Sequence, residues 1–287
     1  MSDWQVGLST GCFYKTPIQQ CLLPIRDAGF NLIEICSFPA HLNYHDIPAC
    51  EETAQILDDL GIEPYSFHAP FAPHIDITSP DENIRKISID EILRAATAAA
   101  TLDVRYFVLH PGPEEPPPSM EEERFTRMQF ATSSLNTIAE FCETHRIQLL
   151  LENKLPHLAF GNISDMLWFI SQIDSTQVGI CLDTGHAALA QNLDISIQQL
   201  GSFLRMIHAS DNHGEFDDHL PPGYGSLDWE HYLQLLFSYG FSGSIILEVA
   251  GQPDPQKLLH EAKNARKFLR NIGRHLRTSS SSLYSAP

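Results

Sequence analysis

Six side chains that can bind a metal ion close short apolar runs along this 287-residue chain. His68 closes Ser-Phe-His, His110 closes Phe-Val-Leu-His, Glu152 closes Leu-Leu-Leu-Glu, Asp183 closes Ile-Cys-Leu-Asp, His208 closes Met-Ile-His and Glu248 closes Ile-Ile-Leu-Glu. One histidine in such a place is more often a hydrogen-bonded structural residue, and one glutamate can simply cap a loop. Six in equivalent positions ask for a common explanation. Carboxylates gathered together repel one another, and holding them charged is costly without a cation. A divalent metal ion supplies that cation. Imidazole and carboxylate without thiolate suit Zn2+ or Mn2+, and the set is not the all-oxygen one that Ca2+ takes. His186 lies three residues after Asp183, and the loop 211–225 carries an Asp-x-His pair, Asp217 and His219, followed by glycines that allow close backbone approach.

Elements that would position these residues alternate along the chain. Strand-like runs rich in Val, Ile and Leu fall at 6–9, 32–36, 64–68, 106–110, 148–152, 179–183, 206–209 and 244–249. Segments with helical spacing of apolar residues fall at 16–28, 47–60, 81–102, 120–145, 164–173, 195–203, 229–239 and 255–272. Eight alternations with no compositional break predict an α/β chain forming a single-domain (β/α)8 TIM barrel over 1–277, followed by a flexible C-terminal tail at 278–287. An open doubly wound sheet would want a Gly-rich dinucleotide turn after its first strand, and the chain has Ser-Thr-Gly-Cys-Phe there. In a barrel the strand C-termini converge on one mouth, so the six residues would face a shared volume. The Pro-rich stretch 113–118 reads as a loop after the fourth strand.

Composition narrows the partners. The chain is 43% hydrophobic and 19% charged, enough for a real core, and its apolar runs are strand-length, so no membrane span is expected. No secretory signal is legible, and the six scattered cysteines lack C-x-x-C spacing; a cytoplasmic protein with reduced, buried thiols is expected. Net charge is −18. Seven of the eighteen basic residues lie in 257–277, which leaves 1–256 at −24. A body so poor in cations argues against extended nucleic-acid binding, although most of its carboxylates need no role beyond solubility. Lys263, Lys267, Arg270, Arg274 and Arg277 follow helical spacing and read as a solvated helix face, with docking of a second subunit, a homo-oligomer, as the alternative.

The strand-end residues and the segment from Ser210-Asp211-Asn212 to Leu227-Asp228-Trp229 resemble the xylose isomerase-like TIM barrel superfamily, which includes sugar and sugar-phosphate isomerases and epimerases and the endonuclease IV family. The resemblance implies a shared metal site of Glu152, Asp183, His208 and Glu248, holding one ion. The endonuclease IV pattern implies instead a trinuclear zinc site of nine ligands, and each type has a counterpart: His68, His110, Glu152, Asp183, His186, His208, Asp217, His219 and Glu248. The chain also resembles the ketohexose 3-epimerase branch, but carries Leu158 and Gly214 where that branch has an acid and an arginine.

The function implied is a metal-dependent isomerase or epimerase of a small sugar or polyol, phosphorylated or not, working by proton transfer alpha to a carbonyl. Glu152 and Glu248, on opposite sides of the mouth, would be base and conjugate acid. His186, Lys154, His68 and His110 would contact substrate, with Lys154 and Arg85 the cations nearest the mouth. The alternative is a zinc-dependent AP endonuclease or phosphodiesterase.

Overall fold

Eight short segments are buried along all or most of their length, as strands covered on both faces must be. In the computed structural model, which describes residues 4–175 and 177–283, these are β1 (Val6–Ser9), β2 (Leu32–Cys36), β3 (Glu63–His68), β4 (Tyr106–Leu109), β5 (Gln148–Glu152), β6 (Gly179–Asp183), β7 (Leu204–Ala209) and β8 (Ser244–Leu247). All pair in parallel, in chain order, and β8 closes on β1. The chain is the expected single (β/α)8 TIM barrel.

Around it run α1 (Ile18–Asp27), α2 (Ile47–Leu60), α3 (Glu82–Thr101), α4 (Glu121–Thr144), α5 (Ile163–Gln172), α6 (Thr184–Leu189), α7 (Leu193–Leu200), α8 (Trp229–Ser238) and α9 (Pro255–Leu283). Several begin where sequence chemistry dictates: Asp46, Asp81, Asn162 and Asp228 each accept a hydrogen bond from a first-turn amide. Expected and observed boundaries agree closely except in three places. Helix α6 was not expected, because six residues are too few to show a period. The segment 195–203 splits into α7 and a 3-10 turn at Gly201–Phe203. Residues 278–283, expected as tail, continue α9; the rest of that expected tail, 284–287, lies outside the described residues.

Strand periodicity explains how the barrel delivers its polar residues. A small interior cluster of Leu32, Tyr65, Tyr106, Val108, Leu150, Cys181, Met206 and Ile246 fills the barrel. Two positions further along five strands, on the same inward face, come His110, Glu152, Asp183, His208 and Glu248. The intervening residues, Leu109, Leu151, Leu182, Ile207 and Leu247, join the larger core between strands and helices. The apolar interior is thus the floor on which the strand-end donors stand. All six cysteines are unpaired and buried. No helix among the described residues is long and apolar enough to cross a membrane.

Candidate metal centre

The nine residues singled out by type and position come together at the mouth in three groups, in each of which one ligand atom per residue lies within 4.8 Å of the others: His68, His110 and Glu152; His186, Asp217 and His219; Glu152, Asp183, His208 and Glu248. Glu152 belongs to two groups. Its Oε2 lies 3.1 Å from His68 Nε2 and 3.4 Å from His110 Nε2, and its Oε1 lies 2.8 Å from His208 Nδ1.

Four histidines share one arrangement. Nδ1 of His68 donates to the Ala69 carbonyl, Nδ1 of His186 to the Asn153 carbonyl and Nδ1 of His219 to the Glu248 carbonyl, at 2.9, 2.9 and 3.0 Å, while Nδ1 of His110 donates to the Glu114 carboxylate at 2.8 Å. A carbonyl only accepts, so the ring proton sits on Nδ1 and the Nε2 lone pair faces inward. There it meets carboxylate oxygens: Glu152 for His68 and His110, Asp217 for His186 (3.4 Å) and His219 (3.0 Å). Lone pair facing lone pair at such distances calls for a cation between them, a second ring proton or a metal ion. Asp183 Oδ2 and Asp217 Oδ1 are buried without a hydrogen-bond partner. The donors, five imidazole nitrogens with four carboxylates, therefore fit a divalent metal ion.

Burial and neighbouring charges shift the donors' pKa values in opposite directions. Burial opposes a charged His68, but the hydrogen bond and charge of Glu152, with Glu34 and Glu248 behind it, outweigh burial and push its pKa up to about 9. His219 is pushed up to about 10 against burial, chiefly by Asp217 and Glu248, and His186 rises well above the usual range, led by Asp183. Burial, with Glu248 and Glu152, raises Asp183 to about 6. Glu248 goes the other way, to about 2, because His208 and His219 outweigh its burial.

Local structure presents each donor. Asp183 caps α6, accepting from the His186 amide at 2.7 Å, so strand end and helix start set the Asp-x-x-His spacing. Asn153 ties β5 to β6 by hydrogen bonds to the Asp183 amide and carbonyl, at 2.7 and 3.0 Å. The loop bearing Asp217 and His219 is closed at its base by an antiparallel bridge between Asp211 and Leu220. The buried Asp211 carboxylate accepts from the amides of Asn212, Gly223 and Leu227 and from the Trp229 indole. A Cβ on Gly225 would stand 2.3 Å from Asp211 Oδ1, so only glycine fits there. His219 has a positive φ of 45°, strain that a rigid surround must hold.

Several expected roles change. Lys154 is buried, and its ammonium donates to the carbonyls of Gly112 and Pro113 and pairs with Glu114 at 3.0 Å. These three contacts tie the ammonium to the stretch from Gly112 to Glu114. The acidic Glu114 of that loop is neutralised by the same contact and by His110, which outweigh its burial and draw its pKa down to about 2. Arg85 is bonded to the Ser79 and Pro80 carbonyls and lies over the Phe130 ring. His68, His110 and His186 aim their free nitrogens at carboxylates, as ligands would. Glu152 and Glu248 are not equivalent across the mouth. Both approach His208 Nδ1, at 2.8 and 3.2 Å, but the Glu152 side chain is 1% exposed with both oxygens committed, whereas that of Glu248 is 22% exposed.

One buried acid was not anticipated. Glu34, on β2, accepts from Ser9 and Ser66 hydroxyls and lies 2.9 Å from His208 Nε2. Its signal was present: an acid at the centre of Leu-Ile-Glu-Ile-Cys, two residues from the inward Leu32.

Two cavities of about 180 Å3 each open over the donors and share His68, Phe71, His219 and Glu248. One has walls from Tyr14, Phe38 and Val249, the other from Leu155 and Leu158. Lys154 is the sole lysine or arginine among the described residues lining either.

The family described as xylose isomerase-like TIM barrel matches residues 23–272. The chain belongs to this family. It is 29% identical over 252 residues to the uncharacterized protein MJ1311 of Methanocaldococcus jannaschii, covering 86% of this chain and 84% of that one. It is 26% identical to a probable endonuclease 4 of Mycoplasmoides gallisepticum, covering 69% of this chain and 68% of that one. A solved D-tagatose 3-epimerase-like protein superposes with a TM-score of 0.84 at 24% identity, over 96% of this chain and 99% of that one, a likeness of fold. Within the family, then, both a sugar epimerase-like structure and an endonuclease-named sequence are similar to this chain.

Proposed function

We propose that the chain is a divalent-metal-dependent isomerase or epimerase of a small sugar or polyol, moving a proton on the carbon beside a carbonyl. The observation that carries this reading is the pair of small cavities over the metal-fitting donors, with the Glu248 carboxylate in both and no uncommitted lysine or arginine among their described lining residues. A polyanion needs cations along its track, whereas a small polyol needs hydrogen-bond acceptors and an apolar wall. The names of the epimerase-like neighbours agree with it.

Glu152, Asp183, His208 and Glu248 would hold the ion. A bound divalent ion would act as a Lewis acid, stabilising negative charge on substrate oxygens as the carbon loses its proton. Glu248, the more exposed glutamate, takes up that proton on its carboxylate and returns it, to the neighbouring carbon in an isomerisation or, through solvent, to the opposite face of the same carbon in an epimerisation. Glu152, with both oxygens engaged, holds the donor groups together and is poorly placed to exchange protons with substrate. Leu155, Leu158 and Phe71 exclude water on one side.

The test is proton exchange. Metal-loaded protein incubated in D2O with a panel of aldoses, ketoses and their phosphates should place deuterium at the carbon alpha to the carbonyl of one of them. EDTA and Glu248→Gln should each abolish the exchange. Full turnover by Glu248→Gln with metal bound would overturn the assignment.

A second reading, phosphodiester hydrolysis, is favoured by one specific observation: all nine donors are assembled, with Glu152 shared between two groups. Multinuclear centres suit in-line attack on phosphate esters. EDTA-sensitive cleavage of an abasic-site duplex, with three ions per chain by elemental analysis, would select this reading over the first.

A further inference from the structure

We infer that Glu34 is a positioning residue that fixes His208 as a ligand through Nδ1. The inference rests on the four-donor group of Glu152, Asp183, His208 and Glu248 holding the metal, as proposed above.

His208 is reversed relative to the other four histidines. They turn Nε2 inward and hold Nδ1 against a backbone carbonyl or, for His110, a loop carboxylate. His208 turns Nδ1 toward Glu152 Oε1 and Glu248 Oε2, and sends Nε2 down into the barrel, where Glu34 Oε2 receives it at 2.9 Å. Glu34 is fully buried and takes two further hydrogen bonds, from Ser9 Oγ at 3.0 Å and Ser66 Oγ at 2.9 Å. The register of β2 against β3 slips between Ile33 and Glu34, which pairs Glu34 with Ser66 and brings that hydroxyl inward. An ionised carboxylate can only accept. The proton of a neutral His208 ring is therefore held on Nε2, and the lone pair is left on Nδ1, facing the metal position. A carboxylate behind a ligating imidazole also raises its basicity and fixes its plane.

Glu34→Gln is the discriminating change. It keeps the volume and removes the obligate acceptor. An amide N–H aimed at Nε2 favours the opposite tautomer, which carries its proton on Nδ1 and cannot ligate there. Co2+ affinity, measured by chelator competition on the purified full chain, should fall 10- to 100-fold in Glu34→Gln, with a changed visible spectrum. Ser66→Ala, which removes a neutral donor and leaves the ring contact in place, should lower it far less. Affinity and spectrum unchanged in Glu34→Gln would overturn the inference while leaving the metal reading intact. An equal loss in Ser66→Ala would overturn it too, because a general disturbance of the polar interior would then account for both. Failure of the unaltered protein to take up Co2+ at all would sink the metal reading itself, and the inference with it.

A readout on the unaltered protein covers the case in which Glu34→Gln does not fold. In histidine-15N NMR of the Zn2+-loaded chain, one site ring, assigned by His208→Gln, should carry its proton on Nε2 and ligate through Nδ1, and the other four should carry theirs on Nδ1. His208 found with its proton on Nδ1 overturns the inference.

Discussion

Replacing Asp211 with alanine should separate the loop-borne donors from the strand-borne ones. Its carboxylate accepts four hydrogen bonds at 2.9 to 3.1 Å, from the amides of Asn212, Gly223 and Leu227 and from the Trp229 indole, and the residue is fully buried. Hydrogen bonds to a charged group contribute roughly 1.5–3 kcal/mol each. Four would total far more than one substitution usually costs, and the loop can relax: His213 to Phe216 are exposed, so water can reach the amides nearest them. The buried indole N–H of Trp229 and the Leu227 amide have less relief. A loss of about 3–5 kcal/mol follows, at the upper end for single substitutions, and within what a folded domain of ~5–15 kcal/mol can survive. In urea unfolding of the metal-free protein the midpoint should drop accordingly. Asp217 and His219 lose their fixed position when the base of the loop loosens, whereas Glu152, Asp183, His208 and Glu248 stand at strand ends. Elemental analysis and Co2+ titration should therefore show loss or weakening of the site served by His186, Asp217 and His219, with binding at the strand-borne group retained. A cost below about 1 kcal/mol with unchanged metal content would refute the view that Asp211 is what holds this loop.

Three further outcomes follow from the same contacts. Gly225→Ala should mimic Asp211→Ala, since its Cβ would press on Asp211 Oδ1; a variant with parent stability and metal content would contradict this. Lys154→Met should cost about 3 kcal/mol by stranding two carbonyls and the Glu114 carboxylate. It should leave the relative affinity for a sugar phosphate and its unphosphorylated parent unchanged, and a selective loss of the phosphate would restore Lys154 as a substrate contact. The metal-free protein should lose thermal stability as pH rises. His68 and His219 have folded pKa values of about 9 and about 10, above the ordinary 6.5, so their contribution is full below pH 6.5 and disappears as pH climbs through 9 to 10. Zn2+ binds the neutral rings, so its stabilising effect in thermal scans should grow over the same interval; a parallel pH profile with and without Zn2+ would count against ligation by these rings.

Much of the site was legible because a parallel strand buried on both faces leaves a conspicuous trace when it ends in a charge. Leu-Leu-Leu-Glu and Gly-Ile-Cys-Leu-Asp announce both the strand and the side chain it delivers, and the period of two places that side chain on the inward face. Glu34 left no such trace because it lies in the middle of its strand rather than at the end, and its partners are 25, 32 and 174 residues away. The contacts of Lys154 were hidden for a related reason. Adjacency to Glu152 predicts that it reaches the mouth, and it does line one of the two cavities, but burial of its ammonium depends on Gly112 and Pro113, supplied by another loop, and on the absence of a side chain at Gly161, where a Cβ would meet the Lys154 stem at 2.4 Å. Helix α6 has a start signal, Asp183, that already carried another meaning.

The division between strand-borne and loop-borne donors bears on why one barrel can resemble both an epimerase-like structure and an endonuclease-named sequence. The four-donor group is built by β5, β6, β7 and the end of β8, whose register and interior packing fix it whatever the loops contain. Of the remaining donors, His68 ends β3 and His110 follows β4 directly, whereas His186 comes from a one-and-a-half-turn helix and Asp217 and His219 from a loop held at its base by the Asp211 carboxylate and the bridge of Asp211 to Leu220. Under the proposed function, the strand-borne group alone would supply a metal position and, in Glu248, an ionisable glutamate, which is what proton transfer beside a carbonyl requires. Adding the loop-borne donors adds positive charge when metal binds, without adding a lysine or arginine to the lining of the two cavities. Further metal-fitting donors and a lining without a free lysine or arginine are then compatible in one site, because the first come largely from α6 and the loop 211–225 and the second from the cation-poor body around the mouth.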